Sequence, residues 1–486
     1  MNLKQKTVSG FLWSSIEHFS VQGVQFVIGI TMARLLLPAD YGLIGMLAIF
    51  MAISQSFIDS GFSTALIRKQ NRTEADFSTV FYFNIVIGLV FYFILFFTSP
   101  YIAAFYNTPI LESLTKVVAL NVLINSLTIV QRAKFTINID FKTQTKVSLL
   151  AITISGTIGI GMAYHGYGVW SLAVQSVVGG CIGMIALWIY SRWIPQKVFS
   201  MSSFKEMFSF GFKLLITGLT GTIYRNIYTI IIGKKFSKAD LGYYIKANGF
   251  TQLPSASVTG ILQRVTFPVL SSIQDDDEKL REIYRKFLRL SAFVVFPLMI
   301  GLLAIADPLV QLLLTEKWVS MILLLQILCL SQMWYPIHAI NLNLLMVKGR
   351  SDLYLKLEII REVAGISILC VALPFGVAAI CWGIVIHSLI ALFINTYYTG
   401  KLIQVGYLKQ MKDLLPILGY SFSMGIIVWG ITQLIHIKIL ALIVGISVGA
   451  IYYFSVAHMT RSKELQEVKS LLDIQKLKSR LWTNRK

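Results

Sequence analysis

The chain has 486 residues, of which 56% are hydrophobic and 14% charged, with a formal net charge of +20 and a mean hydropathy of +0.70. A polypeptide this apolar is excluded from the class of water-soluble globular domains. Its apolar runs are continuous over about twenty residues, the length of a helix across the hydrocarbon core, and lack the ten-residue alternation of a membrane β-barrel. The fold class is therefore all-α integral membrane.

Fourteen transmembrane helices are expected, at approximately 10–33, 41–62, 77–99, 112–131, 145–165, 168–191, 207–232, 241–263, 287–306, 319–346, 352–373, 376–398, 414–434 and 438–458. With the amino terminus inside, 29 of the 43 Lys and Arg residues fall in inner segments, five in outer ones and nine within these approximate bounds. That is the positive-inside pattern with both termini cytoplasmic. The net charge thus needs no nucleic acid as partner.

The first span has a polar side. Ser15, His18, Gln22, Gln25 and Gly29 recur at three- and four-residue steps, which places them on one helix face toward protein or water. Either interhelical hydrogen bonding or substrate contact satisfies such a face. Glu17 is a costly acid at this depth; it pairs with His18 or a neighbouring helix, or it forms a proton or sodium site. The run is long and lacks a small-residue cleavage site, so it reads as a retained span. A punctuated turn, Leu36-Leu37-Pro38-Ala39-Asp40-Tyr41-Gly42, leads into the second span, which ends at Asp59-Ser60-Gly61-Phe62. Basic inner loops follow at Arg68, Lys69 and Arg72 and, after the fourth span, from Gln131 to Lys142, where topology signalling is sufficient explanation.

An internal repeat defines the architecture. Ala39-Asp40-Tyr41-Gly42 returns as Ala239-Asp240-Leu241-Gly242, an offset of 200 residues, each copy between the first and second span of its half. Six spans separate the copies, so both point the same way through the membrane, as in parallel repeats. The expected organisation is an N-terminal lobe at 1–195, a C-terminal lobe at 196–400, an extra helix pair at 401–459 and a basic amphipathic tail at 460–486.

The second half opens with an apolar double span, Phe212 to Gln263, that carries Arg225 in its first run and Lys246 in its second. A charge at membrane depth costs a few kcal/mol or more and marks an interior path unless its stem reaches the interface. Lys246 lies six residues past Asp240, near enough to snorkel; Arg225 is deeper, with Gly218, Gly221, Thr222 and Thr229 near its face. Two such cations facing a cavity would suit an anion. At the repeat offset Arg225 falls on Gln25 and Lys246 on Met46, so one lobe is cationic where the other is neutral.

Farther on, Leu280, Ile283, Tyr284, Phe287 and Leu288 form an amphipathic stripe that reads as a surface helix. In span eleven Glu358, Arg361 and Glu362 stand at i, i+3 and i+4, where mutual neutralisation is the first reading and gating or coupling the second. The tail from Arg461 to Lys486 has eight basic and three acidic residues with apolar residues at helical steps, a composition suited to an anionic leaflet. Four unpaired cysteines sit in apolar spans, and there is no P-loop, no G-x-S-x-G elbow and no zinc spacing among six scattered histidines. A transporter without cofactor or metal is expected, not an enzyme.

Together the hairpin ARLLLPADYGLIGM, the DSGFSTALIRK end of the second span, the QRAKF…DFKT loop and the repeated Ala-Asp-x-Gly resemble bacterial polysaccharide transporters of the multidrug/oligosaccharidyl-lipid/polysaccharide exporter (MOP) superfamily, in particular its WzxC and teichuronic-acid exporter branch. The resemblance implies two six-helix lobes around a cavity open alternately to each face, in the bacterial cytoplasmic membrane. It implies as substrate an undecaprenyl-diphosphate-linked oligosaccharide, with polysaccharide polymerase and assembly proteins as further partners. Basic cavity residues of that family map onto Arg225 and Lys246, with Arg34 at the outer rim, while Gln22 and Gln25 would meet sugar hydroxyls. In some relatives an added helix pair grooves the lipid tail. Two other classes stay open: a cation-coupled drug exporter, for which Glu17 and Asp59 would be the coupling carboxylates, and a membrane-embedded glycan polymerase or ligase, which would want a large outer loop.

Overall fold

The computed structural model describes residues 20–59 and 61–472, and every regular element among them is a helix. Helix α1 (residues 20–35) is followed by α2 (Pro38–Asp59), the short α3 (Phe62–Arg68) and α4 (Glu74–Phe105). The fourth expected span is broken into α5 (Ile110–Val118), α6 (Leu120–Ser126) and α7 (Ile129–Ile137), with a 41° bend before the last. Then come α8 (Phe141–Tyr164), α9 (Val169–Ser191), α10 (Met201–Lys235), α11 (Lys238–Ser271), α12 (Asp277–Ala304) and α13 (Ala306–Leu314). The tenth expected span is likewise two helices, α14 (Met321–Gln332) and α15 (Tyr335–Val347). The chain continues through α16 (Ser351–Ala372), α17 (Val377–Ile403), α18 (Tyr407–Leu434), α19 (Lys438–Met459) and α20 (Lys463–Leu472).

Nine helices among the described residues are long and apolar enough to cross a membrane, or ten if the bent α5–α7 pair counts as one. Helices α10, α11 and α16 have the length but carry the charged residues singled out above. The protein is a multi-pass membrane protein.

Local chemistry sets the boundaries. Thr73 and Asp76 close a capping box at the start of α4, with Asp76 N to Thr73 Oγ1 at 3.3 Å and Thr73 N to Asp76 Oδ2 at 2.8 Å. Asp140, Ser200 and Asp276 accept from backbone N–H groups at the starts of α8, α10 and α12. Prolines lie inside α4, α11, α12 and α18, where neighbouring helices can satisfy the freed carbonyls.

The chain divides into two compact units, Met1–Ile245 and Lys246–Lys486. In the first, α8 packs along α9 and α10 along α2, while α4 rests on α5 and α6. Helix α1 inserts Ile28 against Gly156 and packs Met32 and Leu36 against Ala163. In the second unit α12 pairs with α18, α18 with α19, and α17 with α14 and α16. Small residues permit these approaches, as expected where lipid gives no hydrophobic drive between helices: a Cβ on Gly425 would lie 2.4 Å from the Ile300 side chain.

One expectation needs correction. The stripe at 280–288 is not a separate surface helix but the start of the 28-residue α12, and Leu280, Tyr284 and Leu288 are fully buried. Tyr284 forms a core network with Asn341, Thr399 and Gln410, joining α12 to α15, α17 and α18. The beginning of the tail, α20, is docked on protein: Arg289 Nε lies 3.0 Å from Glu464 and Lys286 Nζ 3.1 Å from Glu467. Acidic residues within the basic tail supply that attachment.

Candidate functional site

The two turns of the internal repeat are built alike. Asp40 Oδ2 accepts from Leu37 N at 2.9 Å, and Asp240 Oδ2 accepts from Ser237 N at 3.2 Å. Each Asp is the third residue of its helix and reaches back to the cap. In the second copy Ser237 completes a reciprocal box, with Asp240 N donating to Ser237 Oγ at 3.0 Å. The first copy has Leu37 there instead and places Pro38 at the first helical position, where a missing N–H costs nothing.

The glycines of these turns answer each other. A Cβ on Gly42 would lie 1.9 Å from the backbone oxygen of Lys238, and a Cβ on Gly242 would lie 1.9 Å from that of Pro38. Below this crossing a Cβ on Gly45 would meet the Ile245 side chain at 2.0 Å.

Arg225 stands midway along α10 and is exposed, its guanidinium folded back over the preceding turn. Nη2 lies 3.5 Å from Thr222 Oγ1, and Nη1 is 3.6 Å from where a Cβ on Gly221 would be. Thr222 is buried and shares a 3.2 Å hydroxyl contact with Ser56 on α2. Among the described residues Arg225 has no carboxylate partner. The glycine and threonine one turn away, legible in the sequence, are what the side chain rests on.

Lys246 opens the second unit on α11, half-buried, with its ammonium 5.9 Å from the ring centroid of the fully buried Trp318. That geometry is a cation–π contact. On the same helix Ser255 donates to the Gln332 carbonyl at 2.8 Å, and Thr251, Thr259 and Thr266 are buried.

Of the polar face on α1, Gln22 is half-buried and Gln25 and Arg34 are exposed. Glu17 lies outside the described residues. Asp59, at the end of α2, accepts from Gln55 Nε2 at 3.1 Å, and Gln55 Oε1 accepts from Asn125 at 2.9 Å. In α16 Arg361 pairs with Glu358 at 3.5 Å, while Glu362 is half-buried one residue beyond Arg361. The Arg361 Nε is buried without a hydrogen-bond partner among the described residues.

Residues that spacing alone did not single out surround Arg361. His387 Nε2 lies 2.9 Å from the Arg361 carbonyl, and the half-buried His338 bridges Ser388 at 3.1 Å and Asn395 at 3.2 Å. The signal was present in α17, where His387, Ser388 and Asn395 recur at seven- and eight-residue spacing in an otherwise apolar run. A separate feature is apolar: a groove of about 550 Å3 in the second unit, lined by Phe293, Pro297, Leu298, Met424, Gly449 and Phe454 of α12, α18 and α19.

Among curated proteins, the chain is 25% identical over 464 residues to the teichuronic acid biosynthesis protein TuaB of Bacillus subtilis, covering 93% of this chain and 95% of that one. It is also 25% identical over 428 residues to the lipopolysaccharide biosynthesis protein WzxC of Escherichia coli, covering 87% and 84%. Among solved structures, the lipid II flippase MurJ in an inward closed conformation superposes with a TM-score of 0.76 at 17% identity, over 93% of this chain and 99% of that one. An inward-facing multidrug resistance MATE family transporter of the MOP superfamily superposes with a TM-score of 0.61 at 15% identity, over 84% and 98%. These two likenesses establish the fold. The signature described as polysaccharide biosynthesis protein matches residues 31–323, and with more than half its length inside that match the chain belongs to the polysaccharide biosynthesis protein family, on the helical fold of the MOP superfamily transporters.

Proposed function

We propose that this chain is an alternating-access flippase that moves a polyprenyl-diphosphate-linked oligosaccharide outward across the bacterial cytoplasmic membrane for surface polysaccharide synthesis. The observation that carries the reading is Arg225, a cation in the middle of a long bundle helix whose described partner is a hydroxyl at 3.5 Å. A diphosphate cannot cross about 30 Å of hydrocarbon unaided. A guanidinium left with open donors offers it bidentate, charge-assisted hydrogen bonds. Gln22, Gln25 and Arg34 supply donors for sugar hydroxyls and the outer rim, and Lys246 stays the second candidate cation.

Relatives named for teichuronic acid and lipopolysaccharide biosynthesis support the substrate class, and the fold shared with a lipid II flippase supports the transport step. The lobes are 1–195 and 196–400, and the charge asymmetry favours cytoplasmic termini. The added segment 401–459 and the groove beside α12 suit the polyprenyl chain, since Gly449 and Met424 leave an apolar channel where bulkier residues would fill it. Polysaccharide polymerase and assembly proteins would take up the product on the far side.

The test is Arg225→Ala. With the variant present in the membrane at the wild-type amount, glycan export is expected to fall at least about tenfold, the equivalent of ~1.4 kcal/mol. Lipid-linked oligosaccharide accumulates inside, and drug susceptibility is unchanged. Export at the wild-type rate overturns the reading. One observation favours a cation-coupled drug exporter instead, the Asp59–Gln55–Asn125 chain in the first unit; on that reading Asp59→Asn would raise drug susceptibility without lipid-linked glycan accumulating.

A further inference from the structure

The crossing of the two repeat turns has the form of a gate. Each glycine abuts the backbone oxygen of the first helical residue of the other turn, and the pairs Pro38 and Lys238, Gly42 and Gly242, keep the 200-residue offset of the repeat. The contact is therefore reciprocal about a local twofold axis. The nearest atoms to each added Cβ are backbone: the approach is of the kind in which a glycine Cα–H points at a carbonyl oxygen. Any Cβ at either position would sit 1.9 Å from that oxygen, far inside van der Waals contact, and a backbone carbonyl cannot swing aside as a flexible side chain can. The helix ends must then separate. Just below, Met46 and Leu241 are buried, at 1% and 0% exposure, and Gly233 is packed against both of them and Tyr106. The crossing thus covers a tightly closed layer one turn deeper.

We propose that the paired Ala-Asp-x-Gly turns form the outer gate of this carrier, held shut by the mutual glycine contact and opened when the N-terminal ends of α2 and α11 part. This rests on the alternating-access reading and on the charge asymmetry that places these turns outside. The two aspartates hold the helix starts in shape by capping, so each end moves as a unit, and the glycines set how closely the ends can come. A short backbone contact at each glycine suits a joint that must break and reform in every cycle. Because a single displacement relieves both overlaps, the two glycines act as one element.

The experiment measures accessibility in the full-length protein in intact cells, with Cys181, Cys329, Cys370 and Cys381 replaced and Met46→Cys as reporter. A membrane-impermeant maleimide is added outside. The reporter alone is expected to react slowly. Gly42→Val and Gly242→Val are each expected to raise its labelling rate at least about tenfold by favouring the parted state. Gly161→Val, on the exposed side of α8 and with no described atom within 4 Å of the added Cβ, leaves it unchanged. The double variant Gly42→Val/Gly242→Val adds little to either single one, the non-additivity of residues sharing one contact. Unchanged labelling in either glycine variant overturns the proposal, and so does a double variant whose effect is the product of the two. Should both valine variants fail to reach the membrane, Gly42→Ala and Gly242→Ala are measured under the same expectations. Absence of the alanine variants as well, while Gly161→Val accumulates, also overturns it, because a contact that opens in each cycle cannot be required for folding. Labelling needs no substrate, so it is independent of the Arg225→Ala export test: loss of the substrate reading leaves the gate standing, and loss of the gate leaves the substrate reading standing.

Discussion

The charges at the base of α12 and the charge midway along α10 are arranged in opposite ways. Arg285 binds Asp413 through two hydrogen bonds of 2.7 and 2.6 Å, Arg289 holds Glu464 at 3.0 Å, and Lys348 reaches Asp277 at 2.7 Å. Arg225 has one described partner, a threonine hydroxyl at 3.5 Å. Charge pairs with near-ideal geometry fix helices to each other; their charge is met by a carboxylate within the fold. A cation in a span with its donors left open is costly to keep and is explained by what it is kept for. Charge count would rank the base above α10, yet the state of the partners ranks them the other way for function.

Removing one arginine from each region breaks the comparison most sharply. Arg225→Ala is expected to abolish most export with little change in thermal stability. Arg285→Ala is expected to leave export per folded molecule near normal while lowering stability by ~1–2 kcal/mol, since among the described residues Asp413 then keeps Arg289, at 3.8 Å. Thermal unfolding in detergent and export in cells, measured on both variants, decide it. Matching profiles would mean that partner saturation does not distinguish structural from functional charge here. The swap Arg225→Lys sharpens it further, because an ammonium keeps the charge and loses the fork; partial export separates charge from geometry.

Much of this was legible beforehand, and for physical reasons. Continuous apolar runs gave the membrane class, and the Ala-Asp-x-Gly repeat gave two turns that fold identically, down to the reach of Asp40 and Asp240 back to their caps. The glycine and threonine beneath Arg225 were visible as i−4 and i−3 neighbours, because helical spacing is local information. What sequence spacing cannot carry is pairing across helices. Nothing in the tail reveals that Glu464 and Glu467 dock on α12, nor that Tyr284 turns inward to Asn341 and Gln410, residues 57 and 126 positions away. The reciprocal glycine contact is of the same kind: the offset announces symmetry, but only the packing brings Gly42 to Lys238.

The buried network tests the structural half of the comparison at intermediate size. Gln410 Nε2 lies within 3.0 to 3.2 Å of four acceptors, on Tyr284, Asn341, Thr399 and Val405, and all of Gln410 is buried. Gln410→Leu preserves volume approximately and strands those acceptors, so a loss of about 1–3 kcal/mol is expected in thermal unfolding. Gln410→Glu, which keeps an acceptor and loses the donors, should fare no better. A neutral result for the leucine variant would show that the network is not what joins α12 to α15 and α17.

The smallest effect is expected where a saturated charge is exposed. Lys69 Nζ lies 2.9 Å from Glu206 and 3.0 Å from Asp76, and the hydrogen bond to Glu206, followed by the contacts with Asp76, raises the ammonium above its ordinary value of 10.5. A group whose pKa is raised on folding stabilises fully below its unfolded value and ceases to do so as pH climbs through the folded one. The pair should therefore contribute evenly across neutral pH and fade only above about pH 10.5. Glu206 is well exposed, so Glu206→Gln is expected to cost ~0.2–1 kcal/mol at low salt and less at high salt. Unfolding measured for the variant and the parent at neutral pH and again above pH 10.5 should show a gap that narrows in the alkaline buffer. A gap that widens there, or that ignores salt, would mean Glu206 holds α10 by something other than Lys69.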